Sequence, residues 1–237
     1  LIPVLVFVLD FLPFVLLGAV LGLDVVSFPQ AMISRPIVAA TLAGAFAGAP
    51  AAGLVVGVAL ECVALETLPF GASRYPEWGS ASVVGGVIGT RGAADSLLPD
   101  PGAWVIGVMA AIATAWLGGW TMVQHRRLIA HWARPRLDSL AAGSMRTVVA
   151  LQVFGMTSDL VRGGALTLLA LLVSWPITTW AIDAWRLGAV ETRGALIIGA
   201  AAVGASAVWK VFHGFSVTRR LFVVGLAVGT MLVTFRG

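Results

Sequence analysis

The chain has 237 residues, of which 59% are hydrophobic and only 11% charged, with a formal net charge of +4 and a mean hydropathy of +0.98. Soluble domains carry about a quarter charged residues, so this composition excludes an ordinary water-soluble domain and calls for a lipid-facing surface. The basic excess does not point to nucleic acid either, because the basic residues cluster between apolar runs, where they set membrane topology.

In chain order, residues 1–22 form the first apolar run, with Asp10 its only charge. It lacks a basic leading segment and exceeds a usual signal-peptide core, so it reads as a spanning helix. Residues 36–60 carry no charge but are divided by Pro50 and by glycines, which predicts two short helices or a broken one. An irregular stretch follows over 61–80, and apolar sequence resumes at 83–88. Residues 103–123 are a clean span. Residues 144–161 are less apolar and end near Asp159 and Arg162, as an interfacial or interior segment would. Further spans are predicted over 163–182, 194–209 and 221–235. The fold class is therefore an all-α integral membrane protein. It is a multi-helix transmembrane bundle of about six spans, with a broken, re-entrant segment between residues 36 and 95, in one domain covering 1–237.

Charge asymmetry orients the bundle. His125-Arg126-Arg127 and Arg134-Pro135-Arg136 face only Asp138, and Lys210, Arg219 and Arg220 form a second basic group. Between them Asp183, Arg186, Glu191 and Arg193 cancel. The positive-inside rule places the two basic loops in the cytoplasm, so residues 69–100 enter from the outer side. Small-xxx-small pairs at Gly18/Gly22, Gly44/Gly48, Gly53/Gly57, Gly85/Gly89 and Gly225/Gly229 allow close backbone approach. They predict either a tightly packed bundle or subunits that meet through helices.

Chemistry concentrates in residues 61–80. Glu61 and Glu66 end a long apolar run; Pro69, Gly71 and Pro76 break regular structure; Arg74 and Glu77 add charge. A carboxylate at the bilayer centre costs at least about 2.5–3.5 kcal/mol, and irregular backbone survives there only against protein or a water-filled cavity. Two readings fit. One is a re-entrant substrate loop, in which carboxylates accept hydrogen bonds from sugar hydroxyls and Trp78 or Tyr75 stacks on a sugar ring. The other is an outer loop whose charges face water.

Residues 24–90 resemble the N-terminal half of the mannose/sorbose-type enzyme IIC of the bacterial phosphotransferase system. The matching features are Asp24, the phrase Phe28-Pro29-Gln30-Ala31-Met32-Ile33-Ser34-Arg35-Pro36-Ile37-Val38-Ala39, and Gly44, Gly48, Gly53 and Gly57. Leu60-Glu61, Ala64-Leu65, Pro69, Gly71 and Pro76-Glu77 complete the match. The resemblance implies a permease subunit in the bacterial inner membrane that works with a IID membrane subunit, in a homo-oligomer of IIC–IID units. It would pass a hexose or related sugar inward, to be phosphorylated by cytoplasmic IIA/IIB carriers. The chain itself would hold no phosphorylated residue, cofactor or metal. Substrate contacts carried over from the family fall on Glu77 and Glu61, with the backbone around Gly71 in the substrate path, while Gln30 and Arg35 fall in the matching phrase, where a structural role and a substrate contact are both open. Glu66 replaces a small residue, Arg74 an apolar one and Glu77 an Asp, and these departures imply a pocket for a sugar other than mannose, or lost transport.

The remaining candidates read more plainly. Cys62 is the sole cysteine and suits an inert packed thiol; His125, His131 and His213 suit solvated or headgroup-facing positions; Asp159 and Arg162 share a helix face and form a structural pair. No metal-ligand spacing, P-loop or dinucleotide glycine pattern occurs. Ser73 and Ser80 lie apart from every histidine, against an intramembrane protease. The nine tryptophans suit interface anchors. Residues 125–136 suit either a docking surface for IIB or lipid headgroups. The alternatives to transport are a non-transporting membrane scaffold or regulatory relic of such a system, and, more distantly, an ion channel.

Overall fold

The computed structural model describes residues 9–65, 74–93, 100–212 and 216–236, and every regular element among them is helical. Four short helices come first: α1 Leu12–Val26, α2 Pro36–Phe46, α3 Pro50–Ala64 and α4 Trp78–Gly89. Then follow α5 Pro101–Ala133, a 3-10 turn Arg134–Arg136, α6 Leu137–Ala141, α7 Met145–Asp183, α8 Ala189–Phe212 and α9 Ser216–Arg236. Three segments, Pro101–Ala141, Met145–Asp183 and Ala189–Trp209, are long and apolar enough to cross a membrane. The α1–α4 group is apolar but short.

Local chemistry sets the boundaries. A proline occupies the first turn of α1, α2, α3 and α5, where its missing N–H removes a donor that has no helical partner anyway. Asp100 caps α5 by accepting from the Gly102 and Ala103 amides at 2.9 and 3.1 Å. The break expected near Pro50 is a hairpin between α2 and α3 that turns at Gly48 with φ +79°. Its arms nearly touch: a Cβ on Gly44 would stand 2.7 Å from the Gly53 Cα.

Contacts fix the directions. Gly22 approaches Gly163, Ser27 binds Asp159 and Phe11 meets Trp175 edge-on at 5.3 Å, so α1 runs antiparallel to α7. The Glu77 amide donates to the Ala115 carbonyl at 2.9 Å, while Gly107 abuts Gly89. Helix α4 is thus antiparallel to α5 and lies along the half of α5 away from its basic end. Gly102 meets Trp185 and Gly204 meets Cys62, so α8 runs in the same direction as α5. Helix α4 is the centre of the bundle. Every residue from Gly79 to Gly89 is buried, against α5, α2, α1, α7 and α3.

One expectation is corrected. Residues 144–161 and 163–182 are not two segments but one 39-residue helix, α7. The charges of Asp159 and Arg162 looked like a span end, yet both are buried against each other and against His125, so the helix runs through them. At about 1.5 Å per residue, α5 and α7 are about 50 and 58 Å long. Both exceed a hydrocarbon core of about 30 Å. They project together at the basic end, where Trp132 stacks on Phe154 at 4.1 Å.

Candidate functional site

The C-terminal ends of α1 and α3 and the N-terminal ends of α2 and α4 converge on one cavity of about 320 Å³. It is lined by Asp24, Gln30, Ser34, Arg35, Tyr75 and Trp78 among others. This lies at the lower end of the range of about 300–1,000 Å³ common for small-molecule sites.

The loop from Ser27 to Arg35 owes its shape to Asp24. Its buried carboxylate accepts from the Ala31 amide at 2.7 Å and from the Ser34 amide at 2.9 Å. That clamp holds Gln30 and Met32 in the left-handed region, at φ +57° and +61°, a conformation side chains rarely adopt without such support. Gln30 thereby reaches the cavity wall, its amide also donating to the Val26 carbonyl at 3.3 Å.

Glu61 does not line the cavity. It is ion-paired with Arg35, and its second oxygen accepts from the Ile37 amide at 3.2 Å. The pair pins the end of α3 to the start of α2, while Arg35 itself borders the cavity. Arg74 is exposed. Glu66 and Gly71 lie outside the described residues.

Glu77 sits at the other extreme, with no solvent exposure at all. It caps α4, with Oε1 accepting from the Ser80 amide at 3.1 Å, a placement that a helix N-terminus favours. Glycines make the room: a Cβ on Gly118 would stand 2.7 Å from that of Glu77, and one on Gly79 only 2.9 Å from Oε1. Its neighbours Tyr75, Pro76 and Trp78 form part of the cavity wall. Arg126 lies over the Tyr75 ring at 5.5 Å and donates to its hydroxyl at 3.3 Å.

A second polar group, behind Glu77, was not anticipated. Asp159 accepts from Ser27 Oγ at 2.7 Å and pairs with His125 Nδ1 at 3.1 Å and Arg162 Nε at 3.4 Å. The other ring nitrogen of His125 shares a 2.7 Å hydrogen bond with Ser158. The solvated position expected for His125 is therefore corrected: its side chain is enclosed between α5 and α7. The i,i+3 spacing did reveal the Asp159–Arg162 pair, but no local signal joined Ser27 or His125 to it. Among the described residues, no group of three or more His, Cys, Asp or Glu side chains is arranged to hold a metal.

This arrangement suits a neutral polyol. The cavity offers amide, hydroxyl and guanidinium donors, aromatic side chains and a carboxylate just behind its wall. Because its charged groups are balanced, an ionic ligand gains little there.

A family model described as the PTS system sorbose-specific IIC component matches residues 5–232. No curated protein matches the sequence. A solved structure titled "Structure of membrane protein" superposes with a TM-score of 0.70 at 18% identity, over 94% of this chain and 86% of the other. At that identity the likeness concerns the fold alone.

Proposed function

The chain belongs to the family of sorbose-specific IIC components of the sugar phosphotransferase system, and from that premise we propose that it translocates a hexose or related neutral sugar inward. A IID membrane subunit completes the permease, and a cytoplasmic IIB carrier phosphorylates the sugar as it emerges. The chain itself is a transport subunit of the bacterial inner membrane, without phosphoryl-transfer chemistry of its own.

The observation that carries this reading is the cavity at the meeting of the short helices, with Glu77 directly behind its wall. Helix ends that converge inside a membrane protein present unpaired backbone groups and oriented dipoles to a substrate. A family match over nearly the whole chain states what class of substrate to test. Gln30 and Arg35 contact the sugar, and Glu77 accepts a hydrogen bond from one of its hydroxyls. Glu61 acts by holding Arg35. The departures from the family pattern at Glu66, Arg74 and Glu77 shift the preference away from mannose.

The test is equilibrium binding of a panel of hexoses and amino sugars to the full chain co-purified with a family IID subunit. Saturable binding by the wild type, weakened at least about tenfold in Glu77→Gln with the complex intact, supports translocation; the lost charge-assisted hydrogen bond has that magnitude. An assembled complex that binds no sugar supports the scaffold role instead.

A further inference from the structure

Among the described residues, the buried side-chain atoms without a hydrogen-bond partner include Glu77 Oε2 and both Nη1 and Nη2 of Arg162. They belong to neighbouring parts of the bundle: a Cβ at Gly22 would stand 3.1 Å from the Gly163 Cα and 3.8 Å from Glu77 Oε1, so the Glu77 carboxylate lies beside the turn of α7 that carries Arg162. An arginine and a glutamate left to themselves would close into a two-pronged ion pair. Here they are kept apart. Arg162 turns its Nε to Asp159, and Asp159 is itself fixed by Ser27 Oγ and His125 Nδ1. Backbone contacts set the other side, where Glu77 is locked by the Ser80 amide and by the close approach of Gly118. One acceptor and two donors in the same buried region are therefore not satisfied by the chain's own atoms, although buried polar groups are otherwise almost always paired.

The chemistry of these three atoms defines what fits. A hydroxyl donates through its hydrogen and accepts through its oxygen, so it satisfies Glu77 and Arg162 at once. Two adjacent hydroxyls use both Nη groups. A phosphate or carboxylate would be repelled by Glu77, and an ammonium by Arg162. The location also suits a substrate path. Residues on either side of Glu77 wall the 320 Å³ cavity, and Arg162 borders a separate groove between α5 and α7, with His125 and Ser158. The pair stands between the two openings.

We propose that Arg162 is a specificity-determining residue of the sugar site: its Nη groups donate to hydroxyl oxygens of a neutral sugar, one of whose hydroxyls donates to Glu77. Asp159, His125 and Ser27 are positioning residues that hold the guanidinium in place. The inference rests on the translocation reading above.

The experiment compares wild type, Arg162→Gln and Glu77→Gln in the chain–IID complex. The probes are the hexose that the wild type binds best and its monodeoxy analogues, one hydroxyl removed at a time. In the wild type, one or two positions should cost about tenfold or more when deleted, as hydrogen bonds to charged groups do. In Arg162→Gln those same positions should lose their penalty while the others keep theirs. If Arg162→Gln does not assemble, Arg162→Lys is read in its place, since it keeps a cation beside Asp159 but replaces two Nη donors with one ammonium. An unchanged deoxy profile in the assembled variant, with binding uniformly weaker or unaltered, overturns the inference while leaving translocation standing. A wild-type complex that binds no sugar overturns both.

Discussion

Helices α4 and α9 carry the same sequence signal and meet opposite fates. Each has a glycine pair four residues apart, Gly85/Gly89 and Gly225/Gly229. In α4 both glycines are filled from outside. A Cβ at Gly85 would lie 2.8 Å from the Ala111 Cβ, and one at Gly89 would lie 2.8 Å from a Val56 methyl. In α9 neither glycine has any atom within 4 Å of where a Cβ would stand, and the large apolar side chains Leu221, Val224 and Val228 are exposed. A small-xxx-small pair therefore marks a surface able to be approached closely, not one that has been. What decides the outcome is whether the rest of the chain supplies a partner. Helix α4 is enclosed on every side, whereas α9 touches little besides α8.

The largest effect should come from filling the slot of α4. A Cβ at Gly107 would stand 2.6 Å from the Gly89 Cα, which is backbone and cannot swing aside. Gly107→Leu should cost about 3 kcal/mol or more, beyond ordinary overpacking, and be seen as loss of folded, monodisperse protein. A Gly107→Leu protein of normal thermal stability would break the contrast.

Next is Asp159→Ala, which strands Arg162, His125 and Ser27 at the interface of α1, α5 and α7. Removing one partner of a buried charge cluster costs about 3–5 kcal/mol, read as a lowered unfolding midpoint in detergent. Glu61→Gln is milder. Its ion pair with Arg35 is partly exposed, so a loss of about 1 kcal/mol is expected and the fold should persist. The smallest effect belongs to α9. Gly225→Leu with Gly229→Leu should cost the chain no stability, because no other element is met and removing helical glycines favours a helix. If the same double variant disrupts assembly with IID or with a second copy, α9 has found its partner outside the chain.

The sequence made the helical class legible through length and hydropathy, and the hairpin through Pro36, Pro50 and the intervening glycines, because these signals act within a few residues. It also located the polar segment around Glu77, since a carboxylate in apolar surroundings needs a reason. The continuity of α7 was not legible. Asp159 and Arg162 read as a boundary because their partners, Ser27 and His125, come from 132 and 34 residues away. Equally hidden was the loop clamp of Asp24, whose acceptors are spent on backbone amides that only the folded loop presents. The pairing of Glu61 with Arg35 was hidden as well, since it depends on how α2 and α3 pack and not on either residue alone.

The overhang of α5 and α7 has an electrostatic consequence. The apolar part of α5 ends near Val123, and the ten further residues to Ala133 carry the chain about 15 Å past the hydrocarbon core. Arg134, Arg136 and Arg146, all exposed or half-exposed at that end, therefore stand about a Debye length clear of the headgroups at physiological salt. Positive charge held at that height is poorly neutralised by anionic lipid and remains open to the aqueous phase. An acidic protein binding at this end would then arrive at a rate that falls steeply with added salt and responds little to the anionic-lipid content of the bilayer.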